Sequence, residues 1–368
     1  MTKRYYMALA LSLIAAIVGI GAVTRHSGAV PGVSSAVPGA FGGVPGASAE
    51  REIPSFSGAT AWLNTQPLTP ADLHRKVVLV EFWTYTCINW RRTLPYVRAW
   101  AARYKDKGLV VIGVSTPEFS FEKNINNVQR ALKEMRMDFP IAIDNNYGVW
   151  RAFDNEYWPA LYFIDAKGHI RHHQFGEGDY EESEMVIQQL LAETGAKDIP
   201  AGLSPVMPGG AELAADMSTL GSGETYIGYG RTENFSSVGN AVYDKPHVYA
   251  TPPHLQLNQW ALDGDWTLRE EAAALNKAGG RITYHFHARD VNLIMGPAKP
   301  GDPVRFRVLI DGHAPGAAHG IDVDEQGNGK CGEQGMYQLI RQPGPIINRD
   351  FTIEFLDPGV EAFDFTFG

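Results

Sequence analysis

Apolar and polar positions in the first half of the chain switch between two periods, which predicts strands interleaved with helices. The unbroken apolar run 77–83 is typical of a buried strand. Apolar residues then recur at spacings of three and four, which predicts a helix over 87–107. Further strands are predicted at 109–115, 139–144, 161–164 and 169–174, and further helices at 121–137 and 181–193. This alternation predicts a central sheet with helices on both faces, an α/β domain over 51–195.

The second half of the chain changes to short runs of alternating apolar and polar residues. These runs are 281–287, 291–295, 304–310, 336–340, 351–355 and the strictly alternating 362–367. Several short strands separated by Gly and Pro turns predict an all-β domain over 224–368, of the β-sandwich or jelly-roll class. The Pro- and Gly-containing stretch between the two halves predicts a linker over 196–223.

The first 50 residues differ from both halves. Lys3 and Arg4 precede an uncharged apolar run over 7–23, which predicts a targeting segment at 1–26. This run is long for a signal peptide and slightly short for a membrane span, so a cleaved signal and an uncleaved inner-membrane anchor both stay open. We favour the anchor, which would place the rest of the chain outside the cytoplasm, in the periplasm. Residues 27–50, rich in Gly, Ala, Pro and Ser, predict a flexible linker.

Composition narrows the classes of function. The formal net charge of −9 gives little support to nucleic-acid binding. Two cysteines in 368 residues do not make a disulfide framework. The paired histidines at 172–173 and at 285 and 287 have no clear third ligand, and the calcium-like spacing over 322–333 is better explained as a hairpin turn. We therefore expect neither a metal nor another cofactor.

Cys87 is the candidate nucleophile. It lies between a predicted buried strand and a predicted helix start, where backbone N–H groups and the helix dipole favour a thiolate. We therefore expect its thiol pKa to be lowered. The alternative is an inert buried cysteine.

The surroundings of Cys87 resemble the active-site segment of thioredoxin-fold proteins. The resemblance rests on Glu81, six residues before the cysteine, on Phe82 and Trp83, which directly follow Glu81, and on Pro95, eight residues after the cysteine. The run 158–165 resembles the family's cis-proline turn. More narrowly, the chain is similar to DipZ-type proteins, which pair an extracytoplasmic thioredoxin domain with a C-terminal β-sandwich.

This resemblance implies a thioredoxin fold and thiol–disulfide oxidoreductase activity. It implies that Glu81 is a buried proton relay and that Pro159 faces the cysteine and docks the substrate strand. The expected partners are protein or small-molecule thiols and disulfides.

One departure from the family changes the expected mechanism. Thioredoxins carry Cys-x-x-Cys, whereas this sequence reads Cys87-Ile88-Asn89-Trp90. Without the second thiol, the usual cycle cannot close within the motif. We therefore expect a single nucleophilic cysteine that works through mixed disulfides and an external thiol. Cys331 could serve as a resolving thiol, but a solvent-facing thiol without a role, in an exposed turn, is the favoured interpretation.

Four aromatic residues near the motif are candidates for contact with substrate. They are Trp83, Tyr85, Trp90 and Trp158. Trp83, Tyr85 and Trp158 together would make an apolar surface suited to an unfolded or peptide-like partner, and Trp90 could offer an aromatic wall to a substrate. For Trp90, packing against Trp83 or Trp158 is the favoured interpretation.

Two other functions stay open. Thr84-x-x-Cys87 resembles the motif of one-cysteine peroxidases, although Val80 stands where their shielding proline would be. The other alternative is a non-catalytic envelope binding protein whose β-sandwich binds glycans. Trp260 and Trp266 could stack on sugars, but packing in the core is the favoured role for each.

Overall fold

The computed structural model describes residues 52–368. The targeting segment at 1–26 and the linker at 27–50 therefore lie outside the described residues. Within 52–368, no helix is both long enough and apolar enough to cross a membrane.

The first domain is built on one mixed sheet of six strands. The strands are β1 (Ala61–Leu63), β2 (Val77–Trp83), β3 (Leu109–Ser115), β4 (Ile141–Ile143), β5 (Ala160–Ile164) and β6 (Ile170–Phe175). The helices are α1 (Ile88–Tyr104), α2 (Ile125–Glu134), α3 (Gly148–Ala152) and α4 (Tyr180–Glu193). The strand order is β1-β4-β3-β2-β5-β6. Central β2 is parallel to β3 and antiparallel to β5.

The two faces of β2 pack into separate cores. Its odd-numbered positions, including Leu79 and Trp83, pack with residues of α1, α2 and α4. Its even-numbered positions, including Val80 and Phe82, pack with α3 and the segment before β2. Every residue of β2 is buried, as a strand covered on both faces requires. The predicted α/β class with helices on both faces is confirmed, and the fold is thioredoxin-like.

The second domain is an all-β sandwich. Its strands are β7 (Thr225–Tyr226), β8 (Pro246–Tyr249), β9 (Trp260–Leu268), β10 (Ala273–Leu275), β11 (Arg281–Phe286), β12 (Asp290–Pro297), β13 (Val304–Ile310), β14 (Asn328–Cys331), β15 (Gly335–Arg341), β16 (Arg349–Phe355) and β17 (Val360–Phe367). They join in the order β14-β13-β16-β11-β9-β10-β17-β12-β15, with β7 on β17 and β8 on β9. The prediction of an all-β sandwich is confirmed.

Strand β9 belongs to both sheets of the sandwich. Its first residues pair with β11, and its last residues pair with β10. The change occurs around Gly264, whose φ of 98° is a conformation that glycine adopts at little cost. A strand that passes from one sheet to the other closes a corner of the sandwich around a single core.

A β-bulge interrupts the regular alternation of β17. Ile294 of β12 pairs with Asp364, but the next residue, Met295, pairs with Ala362, so Phe363 has no partner on β12. Ala362 and Phe365 point into the sandwich core, whereas Phe363 packs outside it. The strict alternation in the sequence predicted that Phe363, Phe365 and Phe367 lie on one face of the strand. The bulge moves Phe363 to the other face.

The bulge lies where the two domains meet. A small apolar cluster joins Ile88 and Phe119 of the first domain to Ile294, Met336 and Phe363 of the second. Ile88 directly follows Cys87, so this cluster places the start of α1 against the β-sandwich.

Candidate active site

Cys87 occupies the junction that the sequence predicted. It is the N-cap residue of α1, and its backbone N–H donates to the carbonyl of Thr84 at 3.3 Å. Its Sγ lies 3.9 Å from the carbonyl oxygen of Trp158. The Trp158–Pro159 peptide bond is cis, as the resemblance implied. The thiol of Cys87 therefore lies beside the cis-proline turn, and the residue as a whole is partly exposed.

The pKa of the Cys87 thiol is raised well above its ordinary value, which makes the expected lowering wrong. Burial is the largest cause, and the carboxyls of Glu224 and Glu118 add to it. The backbone N–H groups of Asn89 and Trp90 lower the pKa, as a helix start should. Part of the residue is exposed, yet the surrounding protein removes enough water to outweigh the helix start.

Glu81 lies on the interior side of the site. Its side chain is fully buried, and burial raises its pKa to about 8. The indole N–H of Trp90 donates to its Oε1 at 2.8 Å and partly opposes that rise. Oε2 has no hydrogen-bond partner among the described residues. Glu81 is therefore mostly protonated at neutral pH, as a group that stores and returns a proton should be.

Trp90 stands at the position of the family's second cysteine, and its side chain packs into the core of the first domain. Its ring stacks on Trp83 with centroids 4.6 Å apart, and both side chains are fully buried. The favoured interpretation, packing against Trp83, is confirmed. The hydrogen bond from Trp90 to Glu81 was not predicted, because sequence spacing does not show which strand position an indole reaches.

The expected aromatic contact surface needs correction. Trp83 and Trp90 have no exposed surface and Tyr85 has 3%, so these three side chains cannot touch a substrate in this conformation. Burial in the core beneath the active-site turn is the reason. Only Trp158 is partly exposed; its indole N–H donates to the carbonyl of Thr116 at 3.2 Å.

Two exposed aromatic residues beside the cis-proline turn were missed. Tyr157 and Phe175 are 48% and 38% exposed, and their rings stack with centroids 4.8 Å apart. Pro159 accepts a backbone hydrogen bond from Gly176, which joins this pair to the turn. Two features of the sequence could have identified them: Tyr157 directly precedes the Trp158-Pro159 pair, and Phe175 lies at an outward-facing position of an edge strand.

A second buried carboxyl, Glu122, holds the turn before Cys87. Its Oε1 accepts a hydrogen bond from Thr86 at 2.5 Å, and its Oε2 accepts from the backbone N–H of Glu118 and Phe119. Burial raises the pKa of Glu122 to about 7, while hydrogen bonds from Thr84 and Thr86 lower it. The hydroxyl of Thr84, the candidate peroxide-orienting group, therefore already has a partner.

Cys331 is not in an exposed turn. It ends β14, pairs with Val304 and is fully buried in the core of the sandwich. Burial raises its thiol pKa to about 12. Both cysteines are free. The expectation of a solvent-facing thiol is wrong, and a resolving role would require the sandwich core to open.

Trp260 and Trp266 are also fully buried, which confirms core packing and leaves neither ring free to stack on a sugar. Between residues 52 and 368, no group of three His, Cys, Asp or Glu side chains is arranged to hold a metal ion. The segment with calcium-like spacing folds as a tight turn, in which the carboxylate of Asp324 accepts from the backbone N–H of Asn328 at 2.8 Å.

Comparison with known proteins matches each half of the chain separately. A family described as the AhpC/TSA family matches residues 49–173. A family described as the thioredoxin-like C-terminal domain matches residues 222–368. The second match covers every strand of the β-sandwich.

Individual relatives match different shares of this chain. Protein DipZ of Mycobacterium bovis is 42% identical over 249 residues, which are 66% of this chain and 35% of DipZ. The thiol-disulfide oxidoreductase YkuV of Bacillus subtilis is 30% identical over 142 residues, 39% of this chain and 95% of YkuV. A solved thioredoxin-like protein in the oxidized form is 30% identical, with a TM-score of 0.37, over 39% of this chain and 97% of its own. The chain thus spans about a third of the length of DipZ.

Proposed function

This chain belongs to the thioredoxin-like family of thiol–disulfide oxidoreductases, and from that premise we propose that it exchanges disulfides through the single thiol of Cys87. The observation that carries the proposal is the position of that thiol. Cys87 is the N-cap residue of α1 and is partly exposed, and its Sγ lies 3.9 Å from the carbonyl oxygen of Trp158, next to the cis-proline. This arrangement sets the thiol beside the cis-proline turn.

The proposed reaction has two exchanges. The thiolate of Cys87 attacks a substrate disulfide, the substrate S–S bond breaks, and one substrate thiol leaves with a proton. An external thiol then attacks the substrate sulfur of the mixed disulfide, which releases Cys87 as a thiol and leaves a disulfide between the external thiol and that substrate sulfur. A second external thiol reduces this disulfide, so two electrons pass from two external thiols to the substrate and the chain itself is not oxidised overall.

Glu81 and Pro159 have supporting roles in this proposal. Glu81 accepts and returns protons from the interior side of the site, and its raised pKa suits that task. Pro159 docks the substrate strand next to Cys87. Trp90 holds the carboxyl of Glu81 in place by its indole hydrogen bond. Because Trp90 occupies the position of the second cysteine, release depends on the external thiol.

The test uses a neutral disulfide, hydroxyethyl disulfide, with reduced glutathione as the external thiol. The wild type should form one covalent adduct by intact-protein mass spectrometry and should turn over with glutathione. Cys87→Ala should do neither, whereas the matched variant Cys331→Ala should behave as the wild type. An adduct that persists in Cys87→Ala, or none in the wild type, would contradict the proposal.

A one-cysteine peroxidase is the second candidate, because residues 49–173 match the AhpC/TSA family. One observation favours disulfide exchange over it: the hydroxyl of Thr84, which would orient the peroxide, is already hydrogen-bonded to Glu122. Stopped-flow reaction with hydrogen peroxide separates the two. A rate orders of magnitude above that of a free cysteine thiolate, lost in Thr84→Val, would assign the peroxidase.

We also propose that the chain works outside the cytoplasm, tethered to the inner membrane by residues 7–23. Support comes from the charged start and the long apolar run. Fractionation and N-terminal sequencing of the expressed protein test this. A soluble product beginning near residue 50 would replace the anchor with a cleaved signal.

A further inference from the structure

The bridging segment, residues 116–122 of the first domain, lies between the active site and the β-sandwich. It follows β3 and leads toward α2. Thr116 at its start and Glu122 at its end are buried. Both of these ends bind parts of the active site, and the residues between them contact the second domain.

The end of the bridging segment holds the turn before Cys87. The Thr86 hydroxyl, next to the cysteine in sequence, donates to Oε1 of Glu122 at 2.5 Å. Oε2 of Glu122 accepts from the backbone N–H groups of Glu118 at 2.6 Å and Phe119 at 3.0 Å. A buried carboxyl that accepts at both oxygens fixes its donors relative to one another. The active-site turn and the middle of the bridging segment therefore share one anchor.

The start of the bridging segment holds the cis-proline turn. The backbone N–H of Thr116 donates to the carbonyl of Trp83 at 3.1 Å, and its carbonyl accepts from the indole N–H of Trp158 at 3.2 Å. The carbonyl oxygen of Trp158 in turn lies 3.9 Å from Cys87 Sγ. One short segment thus binds both the turn before the thiol and the turn beside it.

Polar groups of the β-sandwich hold the middle of the bridging segment. Oε1 of Glu118 accepts from the hydroxyl of Tyr226 at 2.6 Å and from the guanidinium of Arg231 at 2.9 Å. That guanidinium lies 3.6 Å from the centre of the Tyr226 ring. The backbone N–H of Ser120 donates to Glu271 at 3.0 Å. Two neighbouring stretches of the segment are therefore tied to the second domain.

The β-bulge of β17 adds an apolar contact to the same segment. It turns Phe363 out of the sandwich core, and the Phe363 ring packs with the rings of Phe119 and Phe121 at centroid distances of 5.4 and 4.8 Å. The Phe121 ring also lies 6.2 Å from that of Tyr85, two residues before Cys87. Bulges often re-aim side chains next to active sites, and this one reaches the active-site turn through a single ring.

Another contact between the two domains provides a comparison. Arg130 of α2 pairs with Glu333 of the sandwich at 2.9 Å, and their side chains are 30% and 56% exposed. The side chain of Glu118 is only 6% exposed. An exposed ion pair contributes little, whereas a buried carboxylate that loses its partners is costly. The contacts of the bridging segment are therefore the stronger constraint.

We propose that the β-sandwich positions the active site of the first domain, since Tyr226 and Arg231 hold the bridging segment that holds both turns around Cys87. They are positioning residues, because they act through Glu118. The inference rests on the proposed disulfide exchange and adds no chemical step to it. It gives the second domain a part in that exchange.

The central test is Tyr226→Phe, made in Cys331→Ala so that Cys87 is the only cysteine. The change removes one hydrogen bond to Glu118 and alters no charge. The substrate is a capped, neutral peptide whose cysteine carries a mixed disulfide with 2-mercaptoethanol. Its exchange rate is divided by the rate of alkylation with iodoacetamide at the same pH, so that any change in the thiol pKa largely cancels. We expect this ratio to fall at least about threefold.

A double-mutant cycle tests whether the two ends of the bridging segment act together. Thr86→Val removes the hydrogen bond to Glu122 and should lower the ratio by a similar factor. The double variant with Tyr226→Phe should fall no further than about the larger single effect, because either change releases the same segment. Effects that multiply would show two independent contacts and would overturn the inference, as would an unchanged ratio in Tyr226→Phe.

Amide hydrogen exchange tests the same coupling without any activity. In Tyr226→Phe, the peptide covering 84–90 should exchange faster, whereas the peptide covering 77–82 of β2 should be unchanged. Faster exchange in both would mean a general loss of stability and would overturn the inference. If the parent Cys331→Ala forms no adduct with the peptide disulfide while 84–90 still responds, the proposed function has failed and the coupling has not.

Glu333→Gln is the matched control. It also weakens a contact between the sandwich and the first domain, but that contact is made to Arg130 of α2 rather than to the bridging segment. It should leave the ratio and the exchange of 84–90 unchanged. Changes equal to those of Tyr226→Phe would assign the effect to domain contact in general and overturn the inference.

Discussion

Each domain carries one thiol, Cys87 at the start of a helix and Cys331 at the end of a strand. Burial raises the pKa of both. They differ in access and in neighbours. Cys87 is partly exposed, and the carboxyls of Glu224 and Glu118 add to the rise of its thiol pKa. Cys331 is fully buried, and besides burial only backbone hydrogen bonds affect its thiol pKa. A raised thiol pKa therefore does not by itself distinguish a working cysteine from a packed one. Access and neighbouring acid–base groups do.

The largest expected difference between the two thiols is their rate of alkylation. Cys331 can react only when the sandwich opens, so iodoacetamide should label Cys87 at least about 1,000-fold faster in the folded protein. The midpoint of the Cys87 rate against pH should lie above the free-thiol value of about 8.5. Peptide mass spectrometry measures both rates, and labelling in denaturant, where the rates should converge, is the control. Comparable rates in the folded protein would remove the contrast.

A second prediction changes the environment of Cys87 by restoring its missing partner. Trp90→Cys should raise turnover in a protein-disulfide reduction assay, because the second thiol can resolve the mixed disulfide. It should also lower the free energy of unfolding by about 3–5 kcal/mol, since a buried indole is lost. Trp90→Phe is the control; it keeps most of the volume and should give no gain in turnover. If the wild type already turns over and requires Cys331, the sandwich thiol resolves Cys87 after all.

The smallest effect concerns the carboxyl behind Cys87. The pKa of Glu81 is about 8 in the folded protein against an ordinary 4.5, so the native state binds the extra proton between these values. The stability that Glu81 contributes is present below about pH 4.5 and is lost as the pH rises to about 8. Glu81→Gln should remove a pH dependence on the order of a few kcal/mol from denaturant unfolding. Glu122, with a pKa of about 7, should leave a smaller slope of the same sign. An unchanged slope in Glu81→Gln would show that Glu81 is ionised in the folded protein.

Local pattern was enough to place the site in the first domain. The apolar run at 77–83 is the strand β2, and the helix predicted to start at Cys87 begins at Ile88. Shorter elements were less well determined. The helix predicted over 121–137 is only Ile125–Glu134. The short strands β1, β7, β8, β10 and β14 were not predicted, nor was the nine-residue β9, in which Asp263, Gly264 and Asp265 interrupt the apolar positions. Runs of two to four residues carry too little periodicity to identify a strand.

The sequence by itself determined the fold class, the cysteine at the strand-to-helix junction, the buried Glu81 behind it and the cis-proline turn beside it. The fold class and the junction follow from short-range periodicity, whereas the places of Glu81 and of the cis-proline turn were implied by the resemblance to thioredoxin-fold proteins. Only the tertiary structure decided the direction of the Cys87 pKa, the burial of Cys331 and the contact of the β-sandwich with the start of α1. Desolvation depends on neighbours more than 100 residues away in the chain, and a period of two cannot show a bulge. Folding the sandwich against the first domain brings those neighbours to the sulfur.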